Sequence, residues 1–228
     1  MSDRPEGLLL VDKPAGITSH DVVLMVRRIY GERSIGHLGT LDPFATGLLI
    51  LLIGRSTRLA NFIVSEPKVY EARIRFGSET DTDDSTGTVT REAPAPPRDA
   101  IDRVIPCLTG EIEQVPPDYS AKSVDGTRAY AAARKGAAIA LEPVKVRVYD
   151  WNIRAHSNDS IDATITCGTG TYIRALARDL GRLTGSAAHL ASLRRVKSGS
   201  FDIRDAFTLD QLKSSPPALR TLQVVASD

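Results

Sequence analysis

The chain has little of what most function classes require. Only two cysteines occur in 228 residues, Cys107 and Cys167, with neither metal-ligand spacing nor a disulfide framework. They read as small buried hydrophobes in a reducing compartment. The longest apolar run, Leu48 to Ile53, is six residues, far short of a membrane span. The N-terminal MSDRPEG lacks the charged-then-apolar layout of a signal peptide. There is no P-loop and no dinucleotide fingerprint. The expectation is a soluble cytoplasmic protein with no membrane association, no cofactor and no resident metal.

Net charge is also nearly absent, at +1. That total averages over opposed segments: Phe76 to Asp118 carries ten acids and three bases, whereas Gly170 to Asp205 carries seven bases and three acids. Segregation of this kind is modest support for a polyanion partner, and it shows that a near-neutral sum does not exclude nucleic acid.

What is present is enough apolar content, 42%, for one large core or two small ones. Leu8 to Val11 reads as a strand ending at Lys13-Pro14. Thr18 or Ser19 N-caps a helix with Val22, Val23, Val26 and Ile29 on one face, and Gly31 ends it. The loop GHLGTLDPFATG, Gly36 to Gly47, leads into Leu48 to Ile53, which has the composition of a strand buried on both faces. Val69 to Phe76 alternates, with Tyr70, Ala72, Ile74 and Phe76 on one side.

The acidic turn TDTDDSTG, Thr80 to Gly87, comes next, and APAPPR connects it to a helix near Asp99 to Leu108. Val115 to Tyr130 reads as a mobile loop or hairpin, and Tyr130 to Gly136 as a short helix. Val144 to Trp151 and Ile161 to Cys167 are strands. Gly168 to Thr171 turns the chain into a helix that buries Ile173, Leu176, Ala177, Leu180 and Leu183. Phe201 to Leu212 supplies a last strand and short helix. Strands and helices mix without regular alternation, so the class is α+β, with a mixed, largely antiparallel central sheet flanked by helices and loops.

Three residues stand out chemically. Asp42 is a lone acid in a Gly- and Pro-punctuated loop beside the most apolar element, although Asp-Pro also simply makes turns. With Thr171 as N-cap, Arg174 lies at the third helical position, where the macrodipole disfavours a cation; an internal carboxylate or a phosphate would compensate it. Arg174, Arg178 and Arg182 recur at i, i+4 and i+8 as one basic row, either a solvated face or a binding one. Tyr70 is a core aromatic by position, and an aromatic in a cleft also stacks on a nucleobase.

Taken in order and spacing, GLLLVDKPAGITSHDVV, GHLGTLDPFATG, KVYEARIRFG, TDTDDSTG, GTGTYIRALARDLG and LRRVKSGSF resemble the TruB-type tRNA pseudouridine synthases from about Gly7 to Leu212. Several motifs in one order are far more specific than one short pattern. The resemblance implies the pseudouridine synthase fold, with the active site in its central cleft. It implies that Asp42 is the catalytic nucleophile, that Tyr70 packs on the target base and that Arg174 pairs with the aspartate. Asp84 would belong to the same charge network, Leu193 to the pocket wall, and His37 to the RNA contact made on base flipping. The implied substrate is the T-loop uridine 55 in the T-arm of tRNA, acted on by a monomer.

An insertion around 115–147 would grip RNA through Lys122, Arg128, Arg134, Lys135, Lys145 and Arg147, with Arg178 and Arg182 joining on the helix; for any single lysine a solvated loop is the commoner role. Leu38 replaces the family's usual threonine beside His37, and Ser123 a frequent lysine. The organisation expected is a catalytic domain at 7–212 and a short tail at 213–228, with no C-terminal PUA domain.

Three rival readings remain. The acidic turn alternates Asp81, Asp83 and Ser85 like a calcium loop, but Thr86 stands where such a loop needs glycine, and His20, His156 and His189 lack paired ligand spacing and read as capping or surface residues. A non-catalytic RNA-folding protein would need no buried carboxylate nucleophile. A glycosidase would require a second carboxylate, Asp84, facing Asp42.

Overall fold

The computed structural model describes residues 4–119, 123–124, 127–128 and 141–221. β1 (Gly7–Lys13) leads to α1 (Ser19–Tyr30), β2 (Ile35–Leu38), β3 (Thr46–Ile53) and a 3-10 stretch, Gly54–Phe62. Next come β4 (Lys68–Phe76), β5 (Ser78–Thr80), β6 (Val89–Glu92), α2 (Arg98–Val104), a 3-10 turn (Ile105–Leu108) and β7 (Gly110–Gln114). The short β8 (Ser123–Val124) and β9 (Thr127–Arg128) precede β10 (Val144–His156), β11 (Ser160–Cys167) and α3 (Ile173–Leu183). β12 (Ala188–Ser198), β13 (Phe201–Asp202), β14 (Phe207–Thr208) and α4 (Leu209–Ser214) complete the series. The fold is mixed α+β, with a largely antiparallel central sheet flanked by helices. The chain divides into two compact units, Met1–Lys68 with Arg194–Asp228, and Val69–Leu193.

The first unit is organised around β3. Its Leu49, Leu51 and Ile53 pack with α1 and α4, while Leu48, Ile50 and Leu52 pack with Leu8 and Leu10 on the opposite face. Each β3 side chain from Leu48 to Ile53 is 1% exposed or less, a gross gain of about 1.5–3 kcal/mol apiece before chain entropy is set against it. One edge of β3 pairs antiparallel with β1 throughout. The other edge is shared: β12 pairs parallel with Thr46 and Gly47, and β2 antiparallel with Ile50 to Ile53. The α1 helix opens with a full capping box, Thr18 with Asp21, and ends on Gly31 in the left-handed conformation.

In the second unit β4 lies between the Ala188–Leu193 part of β12 and β11, followed by β10 and β7. Tyr70, Ala72, Ile74 and Phe76 are buried while Arg73 and Arg75 are exposed, and β11 turns Ile161, Ala163, Ile165 and Cys167 inward.

Several expectations are corrected. Gly36 to Leu38 belongs to β2, so the Asp42 loop is shorter than its sequence motif. Thr171 does not cap α3: the helix starts at Ile173 after Tyr172, which has no side-chain cap of its own, and Arg174 is its second residue. Gln114, from β7, accepts from the Tyr172 N–H at 2.8 Å and donates to the Tyr172 carbonyl at 3.1 Å instead. Leu183 is exposed, as is Cys107. The segment from Phe201 holds two two-residue strands rather than one. The short helix read at Tyr130 to Gly136 lies outside the described residues.

Candidate active site

The Asp42 loop belongs to the first unit, and buried side chains fix its backbone on both sides of the acid. The Leu41 N–H donates to Ser19 Oγ at 2.9 Å, and the same hydroxyl donates to the Leu41 carbonyl at 3.0 Å. The Pro43 carbonyl accepts from the Gly16 N–H at 2.8 Å and from Lys13 Nζ at 3.4 Å. Lys13 Nζ also donates to the Pro14 and Ile17 carbonyls, at 2.8 Å each. Within the loop the Ala45 N–H returns to the Asp42 carbonyl at 3.1 Å. The Asp42 side chain itself is half-buried.

Lys13 is fully buried, a position an ammonium tolerates only when every proton finds an acceptor. Burial pulls its pKa down to about 8, against the opposing pull of Asp42 and then of Asp21. The lysine and the candidate nucleophile therefore sense each other's charge.

Arg195, 1% exposed, closes the base of this loop. Its Nε donates to the Leu48 carbonyl at 2.8 Å and its Nη2 to the Gly39 carbonyl at 2.9 Å. Its backbone pairs with Gly47, at φ 104°, where a Cβ would strike the Arg195 carbonyl; only glycine permits this approach. His37, on β2, is held below its usual pKa by burial, then by Arg195 and His20, and its buried Nδ1 has no hydrogen-bond partner among the described residues.

In the second unit the basic row of α3 meets a matching acidic row from β5 and the turn after it. Arg174 donates to the Thr82 carbonyl at 2.9 Å and the Tyr119 carbonyl at 3.0 Å, and lies 3.7 Å from the Asp84 carboxylate. Asp84 also accepts from the Thr82 hydroxyl and the Thr86 N–H, each at 2.9 Å. Arg178 donates to Asp83, Asp179 and the Val115 carbonyl, at 2.9 Å each. Arg182 holds the buried Glu79 through Nε at 2.9 Å and through Nη2. Part of the charge segregation along the chain is thus met internally, with Glu79, Asp83 and Asp84 against the basic helix.

This corrects the reading of Arg178 as part of a solvated face: it is 7% exposed, and each of its three side-chain nitrogens makes a hydrogen bond. The Arg182 side chain is half exposed, yet ion-paired. Burial pushes the Asp83 carboxyl up to about 6, outweighing Arg178 and Arg174, with Glu79 acting in the same direction as burial. Asp83 is also the one described non-glycine residue at positive φ, 58°.

Of the other expected residues, Tyr70 and Leu193 are buried in the second unit, Lys145 is exposed on β10, and Arg147 lies over the Tyr149 ring at 5.5 Å. Lys122, Arg134 and Lys135 lie outside the described residues; Arg128 is in β9, with only its backbone described. His189 is not a surface residue: it is buried, its Nδ1 2.9 Å from the Ser78 carbonyl. Among the described residues no group of three or more His, Cys, Asp or Glu side chains is placed to hold a metal ion. Asp81 is instead bonded to the Thr88 N–H at 2.8 Å.

Lys13, Ser19, Gln114 and Arg195 went unrecognised in the sequence. The available signals were a lysine ending an apolar strand before proline, and an arginine in phase with Leu193.

Residues 27–173 match the family described as TruB family pseudouridylate synthase (N terminal domain). Residues 174–220 match the tRNA pseudouridylate synthase B C-terminal domain. The chain is 44% identical over 232 residues to tRNA pseudouridine synthase B of Thermobifida fusca (strain YX), covering 97% of this chain and 79% of that one. The protein of the same name from Arthrobacter sp. (strain FB24) is 46% identical over 225 residues, covering 95% and 74%. Among solved structures, a chain of a Cbf5-Nop10-Gar1 complex matches with TM-score 0.71 and 28% identity over 91% of this chain, which spans 54% of that one, about half its length.

Proposed function

The chain belongs to the TruB family of tRNA pseudouridine synthases, and from that membership we propose that it isomerises the T-loop uridine 55 of tRNA, with Asp42 as nucleophile. The observation that carries this reading is the way Asp42 is held. The residue before it is fixed by Ser19, the residue after it by Gly16 and Lys13, and its own carbonyl closes a turn with Ala45. A carboxylate on a backbone held this tightly is placed rather than free to sample solvent, which is what a nucleophile requires.

The reaction breaks the C1′–N1 bond of uridine, rotates the base and forms a C1′–C5 bond; C5 loses its proton and N1 gains one, so the product is an isomer. A carboxylate nucleophile divides that exchange into easier steps. A base inside folded RNA reaches such a group only when flipped out. Tyr70 then offers an aromatic face to the extruded base, and the Arg174 and Asp84 pair keeps the helix arginine oriented.

An unmodified tRNA transcript carrying tritium at C5 of uridine tests this. Tritium release by the wild-type protein and none by Asp42→Asn, with a single carbodiimide-dependent primer-extension stop in the T-loop, is expected. Release by Asp42→Asn, or a stop elsewhere, overturns the nucleophile or the site respectively.

A further inference from the structure

We propose that Arg195 is a positioning residue for the isomerisation, setting the placement of the Asp42 carboxylate by tying together the two ends of its loop. The inference rests on the reading of Asp42 as nucleophile. Arg195 enters the loop in two ways. Its backbone lies against Gly47, whose missing side chain admits it, and its guanidinium turns back to bond Leu48 at the loop's end and Gly39 at its start. One buried residue therefore spans the base of the loop while Ser19 and Lys13 hold its crown.

The chemistry of the side chain suits this task. Two carbonyls facing one buried space need donors in a fixed relative direction, and a planar guanidinium provides them from separate nitrogens, whereas the three donors of an ammonium all leave one atom. A Cβ at Gly39 would lie 3.2 Å from Arg195 Nη1, so the loop start is packed against the guanidinium rather than loosely bridged to it. The same guanidinium lies close enough to His37 to hold that ring below its usual pKa, after the larger effect of burial. Arg195 thus adds to the burial that disfavours the charged form of His37 while it fixes the loop itself.

The test compares Arg195→Lys and Arg195→Met with the wild type and with Asp42→Asn on the tritiated transcript, at saturating tRNA in single-turnover conditions. Rates are expressed per folded molecule, and tRNA affinity is measured separately. For Arg195→Lys the expected result is a rate lowered by roughly tenfold to a hundredfold with tRNA affinity changed by less than about twofold. Arg195→Met is expected to be slower still.

A residue that only stabilises the fold lowers the yield or the melting temperature and leaves the rate per folded molecule unchanged. That result, a loss confined to tRNA affinity, or failure of both variants to fold overturns the positioning role. Turnover by Asp42→Asn overturns the parent reading and this one together, whereas an inactive Asp42→Asn beside a fully active Arg195→Lys overturns the role of Arg195 alone.

Discussion

Arg178 and Asp83 meet at 2.9 Å with both side chains buried, joining α3 to the acidic turn 95 positions away along the chain. The Asp83 carboxyl is raised from its ordinary 3.8 to about 6 because burial outweighs the arginines around it. Between those two values the native state holds a proton that the unfolded chain does not. Lowering the pH through about 6 therefore adds stability through this group, the reverse of an ordinary salt-bridged aspartate. Melting temperatures of the wild type and Asp83→Asn, followed from roughly pH 7 to 5, are expected to differ in slope. The wild type should gain on the variant as pH falls; parallel slopes would refute the assignment.

Removing Arg178 alone leaves the Asp83 carboxylate and the Val115 carbonyl without their donor. The expected loss for Arg178→Met at neutral pH is about 1–3 kcal/mol, because the buried carboxyl takes up a proton once the arginine is gone and the carbonyl is left without its donor. Asp83→Asn combined with Arg178→Met removes both charges and should recover part of that loss. Urea unfolding of the two single variants and the double one measures the coupling. A coupling near zero would mean that the pair contributes nothing specific.

The parts of this fold that are legible in the sequence are those decided by neighbours in the chain. Leu48 to Ile53 is apolar at every position and so has to be buried on both faces. Tyr70 to Phe76 alternates, and Thr18, Asp21 and Gly31 mark both ends of α1. What is not legible depends on distant partners. β12 carries polar residues in both phases, so nothing local marks it as a strand, and only the phase of Leu193 separates buried Arg195 from the half-buried Arg194 beside it. Arg178 is visibly basic, but its acid arrives from 95 positions away, and Tyr172 is satisfied by a glutamine 58 positions away rather than by the adjacent Thr171. Asp42 is singled out only by motif resemblance; its loop chemistry alone favours a simple Asp-Pro turn.

The difference in burial between Arg178 and Lys145 makes a second kind of prediction. A phosphate contact releases counterions, so its loss reduces the slope of log affinity against log salt by about one. Lys145 is exposed, and Lys145→Ala is expected to weaken tRNA binding and flatten the slope by about that amount; an unchanged slope removes Lys145 from the RNA contact. Arg178→Met should leave the slope unchanged, because its charge faces Asp83 and Asp179. Filter binding across a salt series decides both, and a flattened slope for Arg178→Met would place that arginine at the RNA after all.

Lys13 links pH to the Asp42 loop, and its effects on rate and on stability run in opposite directions. Below about 8 its ammonium has one proton for each of the Pro14, Ile17 and Pro43 carbonyls. Above that value an uncharged amine has two protons for three acceptors, and the positive charge beside Asp42 is gone. The single-turnover rate at saturating tRNA is therefore expected to fall as pH rises through about 8, and Lys13→Met should be slow at every pH without that limb. The stability sign is different. The native value of about 8 lies below the ordinary 10.5, so across that window the unfolded chain keeps a proton the native state has released, and this group's contribution to stability rises with pH. The rate should thus decline while the melting temperature does not follow it down. If rate and melting temperature fall together, and Lys13→Met shows the same alkaline limb, the pH dependence comes from general unfolding rather than from the lysine beneath the loop.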